Sequence, residues 1–162
     1  MEKKMSIEIL KLVISIVVCQ LAGVIGSIFT TPAIATWYAT LKKPSFTPPN
    51  WLFSPVWITL FVLMGIAAFL VWNKGLHDKG VKIALSVFIV QLILNALWSV
   101  MFFGLKSPLA GLIDIVVLWI AILLTISYFF KVSNMAGILL IPYILWVTFA
   151  AVLNFSIWRL NS

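Results

Sequence analysis

The sequence predicts an all-α integral membrane protein, a five-transmembrane-helix bundle with a long aromatic, proline-rich loop between helices 1 and 2. Three observations predict it. The 162 residues are 64% hydrophobic and 9% charged, with a mean hydropathy of +1.19, values outside the range of water-soluble domains. Its apolar stretches persist for the roughly 20 residues that cross a bilayer as helix, whereas barrel strands alternate apolar and polar residues in segments of about ten. Hydrocarbon also leaves unpaired backbone groups without partners, so the chain must close its hydrogen bonds within helices.

Residues 1–162 read as a single transmembrane domain with spans near 7–29, 55–72, 81–103, 108–130 and 135–158. In the first span, Lys3 and Lys4 precede an apolar stretch longer than a signal-peptide core, so a retained helix is expected. Ala22 to Gly26 and Gly23 to Ser27 give it small-xxx-small spacing for close packing within or between protomers. The loop from Thr30 to Ser54 follows, its middle barred from regular helix by prolines 32, 44, 48 and 49. Trp37, Tyr38, Phe46, Trp51 and Phe53 make it too aromatic for a solvated linker. It reads as a packed cap on one mouth of the bundle, with an interfacial aromatic belt as the alternative.

The second and fourth spans start at Ser54-Pro55 and Ser107-Pro108, a capping hydroxyl before a proline at the first helical position. Trp57, Phe61, Met64 and Ala68 share one face of the second span; Gln91, Asn95, Trp98 and Phe102 share one face of the third. Asp114 is the one acidic residue well inside a span, a functional candidate that also lies close enough to the loop to meet water or Lys106. Short loops make the last three helices antiparallel neighbours. In the fifth, Pro142, Trp146, Ala150, Asn154 and Trp158 recur every four residues.

Amides at bilayer depth face inward, because lipid offers them no partner. Two readings of these faces stand. The amides join helix to helix, or they line a cavity whose flat aromatic walls suit a rigid, planar, largely apolar guest.

Eleven basic residues against four acidic give a net charge of +7. Lys3, Lys4, Lys11, Lys74, Lys79, Lys82 and Lys131 fall on one side, and Lys42, Lys43, Lys106 and Arg159 on the other, which places the N-terminus in the cytoplasm. The excess fits anionic lipid headgroups rather than nucleic acid. Lys42 and Lys43 at the cap's edge anchor headgroups or meet acidic groups of a ligand. Cys19 and His77 are the sole cysteine and histidine, so no disulfide, metal site or His-based catalytic triad is expected, and no cofactor.

Trp37-Tyr38, Leu41, Lys43-Pro44, Phe46, Pro48-Pro49, Trp51, Phe53, Pro55 and Trp57 resemble the first loop and second helix of the tryptophan-rich sensory protein or translocator protein (peripheral benzodiazepine receptor) family. Gln91, Asn95, Trp98, Phe102-Phe103, Asp114, Pro142-Tyr143, Trp146, Phe149-Ala150, Leu153-Asn154, Trp158-Arg159 and Asn161 extend the resemblance over nearly the whole chain. It implies a bundle, often a homodimer, whose capped cavity binds porphyrins such as protoporphyrin IX, isoquinoline carboxamide and benzodiazepine drugs, and cholesterol in animal members. By position, Tyr38, Pro48, Trp57, Phe61, Asn95, Trp98, Trp146, Phe149 and Ala150 would line it. Some bacterial family members degrade porphyrin in light with two pocket tryptophans, similar in position to Trp57 and Trp146. The family's sterol motif is incomplete, with Leu153, Phe155 and Arg159 and no tyrosine.

The expected function is a membrane binding protein, sensor or carrier for tetrapyrroles and related planar ligands. A light-dependent porphyrin-degrading enzyme and a small-molecule transporter are the alternatives. The transporter is disfavoured because five spans cannot divide into two inverted halves and no charged relay crosses the helices.

Overall fold

The computed structural model describes the backbone of residues 2–162 and the side chains of residues 5–162. Lys3 and Lys4 of the charge asymmetry lie outside the described side chains. Eight helical elements follow one another: α1 (Glu2–Ile34), α2 (Trp37–Thr40), α3 (Asn50–Trp72), α4 (Lys79–Ser99), a π-helical turn (Val100–Gly104), α5 (Pro108–Val132), α6 (Asn134–Leu139) and α7 (Ile141–Asn161). They make five helices long and apolar enough to span a membrane: Met5–Ile34, Asn50–Trp72, Lys79–Gly104, Pro108–Val132 and Asn134–Asn161. The spans pack as a closed ring in which α1 touches α3 and α4, α4 touches α5, α5 touches α6 and α7, and α3 touches α6 and α7.

The first two spans differ from the sequence reading at their facing ends. Pro32 lies inside α1 and Pro55 inside α3, which starts five residues earlier, at Asn50 with Pro49 as its N-cap residue. Ser54 is therefore not a cap. Spanning helices tolerate internal proline, which removes a single N–H and leaves one carbonyl, four residues back, without its helical donor. The connection between the two spans shrinks to residues 35–49 and contains the single turn α2. Ser107 does cap, its Oγ accepting from the Ala110 N–H at 3.2 Å with Pro108 behind it.

Backbones approach closely where α1 crosses α3. A Cβ added to Gly65 would stand 2.6 Å from the Ile16 Cα, so only glycine admits the neighbouring backbone there. The small residues of α1 also face inward: Gly23 lies against the Phe61 ring and Gly26 against the Ser99 hydroxyl.

The connection is fastened at the far end of the chain. The Lys42 N–H donates to Asn161 Oδ1 at 3.0 Å, while Asn161 Nδ2 donates to the Lys42 carbonyl at 2.9 Å and to the Ile157 carbonyl at 2.7 Å. One carboxamide thereby ties α2 and its flank onto the end of α7.

Candidate functional site

Beneath α2 the helices line a half-open cavity of about 360 Å³, within the usual size of small-molecule sites. Its wall is built from α1 (Gln20, Gly23, Gly26, Ser27, Thr30), α3 (Phe53, Trp57, Phe61), α4 (Asn95, Trp98, Ser99) and α7 (Ala150, Leu153, Asn154, Ile157). Tyr38 closes it together with Phe102 and Phe103. The π-helical turn explains how two consecutive phenylalanines both point in. The wider turn at residues 100–104 departs from the 3.6-residue period, leaving Phe102 2% and Phe103 8% exposed. Trp37 and Tyr38 pack against both rings at 5.5 to 6.4 Å, and Trp98 stacks on Phe102 at 5.3 Å. The roof is thus an aromatic cluster shared by α2 and the end of the third span.

Of the expected lining residues, the structure brings Tyr38, Trp57, Phe61, Asn95, Trp98 and Ala150 to one cavity. Pro48, Trp146 and Phe149 stand outside its wall. Pro48 belongs to the stretch that leads into α3. The row Trp146, Ala150, Asn154, Trp158 turns by about 40° per step at 3.6 residues per turn, so Ala150 and Asn154 face the cavity while the ends of the row do not. Trp146 packs instead on Phe53 at 5.9 Å and Phe149 at 5.4 Å, and Trp158 on Phe155. The two candidate redox indoles therefore do not share the cavity. Trp57 faces it, and Trp146 touches it only through Phe53.

The amides join helix to helix, and two of them, Asn95 and Asn154, also lie on the cavity wall. Asn154 is spent on structure: Trp98 Nε1 donates to its Oδ1 at 3.1 Å, and its Nδ2 donates to the Pro108 carbonyl at 2.7 Å, clamping three spans. Asn95 Nδ2 donates to the Tyr143 hydroxyl at 2.9 Å, which donates to Gln91 Oε1 at 2.8 Å. The bond from Nδ2 is the one side-chain hydrogen bond of Asn95 among the described residues, which leaves Oδ1 free on a side chain that lines the cavity.

Charge sits at the roof. Lys43 Nζ lies 4.5 Å from the centre of the Tyr38 ring and donates to the Leu41 carbonyl at 3.3 Å. Burial raises the Tyr38 phenol above its ordinary pKa of 10.0, which keeps its proton available for donation. Asp114 is 7% exposed, its Oδ2 has no partner among the described residues, and it does not line the cavity; Lys106 makes no ion pair with it. His77 lies between α3 and α4, at the opposite end from α2, and Cys19 is buried against the core.

The small-xxx-small spacing of α1 read as close packing alone and not as cavity wall, and Tyr143 was not among the expected site residues. The tyrosine's signal was present: a buried hydroxyl needs a partner, and Gln91 and Asn95, four residues apart, offered two.

The TspO/MBR family pattern matches residues 15–159. A tryptophan-rich protein TspO of Archaeoglobus fulgidus is 50% identical over 156 residues, 96% of this chain and 99% of its own length. The translocator protein of Homo sapiens is 38% identical over 139 residues, 85% of this chain and 82% of its own. The tryptophan-rich sensory protein of Cereibacter sphaeroides is 38% identical over 125 residues, 77% of each chain.

Proposed function

Since the chain belongs to the TspO/MBR family, we propose that it is a multi-pass membrane protein that binds porphyrins and related planar hydrophobic ligands in the cavity beneath α2, as their sensor or carrier. One observation carries the reading: a roofed cavity of about 360 Å³ walled by Trp57, Trp98, Phe61, Phe102 and Phe103. Indole and phenyl faces stack on a flat macrocycle, and each aromatic contact adds about 0.5–1.5 kcal/mol beyond the area it buries. The ring's acidic groups find Lys43 and the Tyr38 hydroxyl at the roof, with Lys42 beside them.

Protoporphyrin IX added to the detergent-solubilised protein is expected to quench tryptophan fluorescence saturably. Trp57→Phe should keep the affinity within about threefold, since a ring face remains, while lowering the quenched fraction. A folded protein with no saturable quenching would refute the reading. Trp57 in the wall also favours light-driven porphyrin oxidation as a second reading. Product formed per bound porphyrin separates the two: an illuminated yield equal to that of free porphyrin, unchanged in Trp57→Phe, leaves binding alone.

The same proposal places the N-terminus in the cytoplasm, supported by the seven-to-four asymmetry of positive charge. With Cys19 replaced, cysteines introduced at Ser6, Lys79 and Asn134 should react with impermeant reagent from the cytoplasmic side and one at Ser45 from the other. Reaction of Ser6 and Ser45 positions from one side would contradict five spans.

A further inference from the structure

We propose that Gln91, Tyr143 and Asn95 form a reversible hydrogen-bond relay that lets the cavity present either an acceptor or a donor at Asn95. This rests on the cavity being a ligand site. Three facts lead to it. The Tyr143 hydroxyl, on a residue 1% exposed, sits between two carboxamides and is the only group bonded to both. Gln91 is 1% exposed and its Nε2 has no partner. Asn95 Oδ1 is likewise without a protein partner, but its residue lines the cavity whereas Gln91 and Tyr143 do not.

In the observed polarity the bonds run from Asn95 Nδ2 to Tyr143 to Gln91 Oε1. A hydroxyl donates one bond and accepts others, and a carboxamide turned about its last torsion exchanges acceptor for donor in the same place. Turning both amides gives the reverse: Gln91 Nε2 donates to Tyr143, and Tyr143 donates to Asn95 Oδ1. Two hydrogen bonds survive. The buried unpartnered atom changes from Gln91 Nε2 to Gln91 Oε1, and an unpaired acceptor is tolerated at least as well as an unpaired donor. The reversed Asn95 then offers Nδ2 to the cavity in place of Oδ1. The two polarities are close enough in energy for a ligand to select one by its own hydrogen-bonding sense. Tyr143 and Gln91 act as positioning residues for Asn95, and the ligand class is a planar, mostly apolar molecule bearing one polar group of either sense.

The test uses carbazole, a planar N–H donor, and 9-fluorenone, a planar C=O acceptor of similar shape, on the full chain with ¹⁵N-labelled glutamine side chains. Gln20 and Gln91 are the two glutamines, and Gln20→Met assigns their amide signals. Fluorenone should draw Gln91 Nε2 onto Tyr143 and move its amide protons downfield; carbazole should hold them unbonded and move them upfield. A guest's own ring current shifts the signal whether or not Tyr143 carries a hydroxyl, so the Tyr143→Phe comparison separates it from the relay. Tyr143→Phe keeps the aromatic ring and should bind both probes with the opposition gone. Shifts of one sign in the wild type, opposite shifts that persist in Tyr143→Phe, or failure of either probe to bind would each overturn the relay. If Tyr143→Phe does not fold, Asn95→Leu takes its place: it removes the amide that faces the cavity and should likewise abolish the opposition. Porphyrin plays no part in the readout, so the relay and the tetrapyrrole reading fail separately.

Discussion

Replacing Gly65 by leucine is expected to cost more than about 3 kcal/mol, because even a single added carbon at Gly65 would lie 2.6 Å from the Ile16 Cα and 2.9 Å from its backbone nitrogen. Backbone atoms of a spanning helix cannot step aside as a rotamer can, so α1 and α3 must separate along their contact. For a chain of this size the unfolding midpoint should fall by about 10 °C. Gly23 provides the comparison. Its added Cβ would meet the far edge of the Phe61 ring, a group that can turn, so Gly23→Ala should change the midpoint far less. Thermal unfolding of both variants in one detergent measures the difference, and an unchanged midpoint in Gly65→Leu would remove this contact as a close backbone approach in the bundle.

Ala150→Phe should lower porphyrin affinity by about 100-fold, equivalent to about 2.7 kcal/mol. Ala150 is on the cavity wall opposite α1 and is 9% exposed. A ring placed there takes up room in a cavity of about 360 Å³, where overpacking by a bound macrocycle costs about 1–3 kcal/mol. The empty protein should be no less stable, since the new ring fills space. Val152→Phe, two residues on and 52% exposed, points away and should bind as wild type. Titration of the three proteins with protoporphyrin IX reads the effect, and equal affinities would place the porphyrin elsewhere.

Much of the bundle was legible because bilayer depth leaves few options: twenty-residue apolar stretches, the Ser107-Pro108 start and the inward Gln91, Asn95 and Trp98 face all follow from hydrocarbon being a poor partner for polar groups. The site was legible in part for the same reason. What the sequence could not show depends on backbone detail that leaves no periodic trace. The π-helical turn brings Phe103 inward beside Phe102, a placement that a 3.6-residue count denies. Pro32 and Pro55 read as helix boundaries, yet α1 and α3 run through both. Trp146 shares a row with Ala150 but has rotated out of the wall by the drift of a four-residue spacing. Glycines and hydroxyls of α1 line the cavity because α3 and α4 approach closely there, a fact of tertiary packing.

The bond between Lys42 and Asn161 joins residues 119 positions apart. During synthesis the stretch around Lys42 emerges long before its partner, and all four later spans are made before the carboxamide arrives to hold it. Aromatic packing of Trp37 and Tyr38 on Phe102 and Phe103 can cover the chamber earlier, but the cover is latched only when Asn161 has been made. Covering and latching are separate events in time, and the second waits on a single side chain.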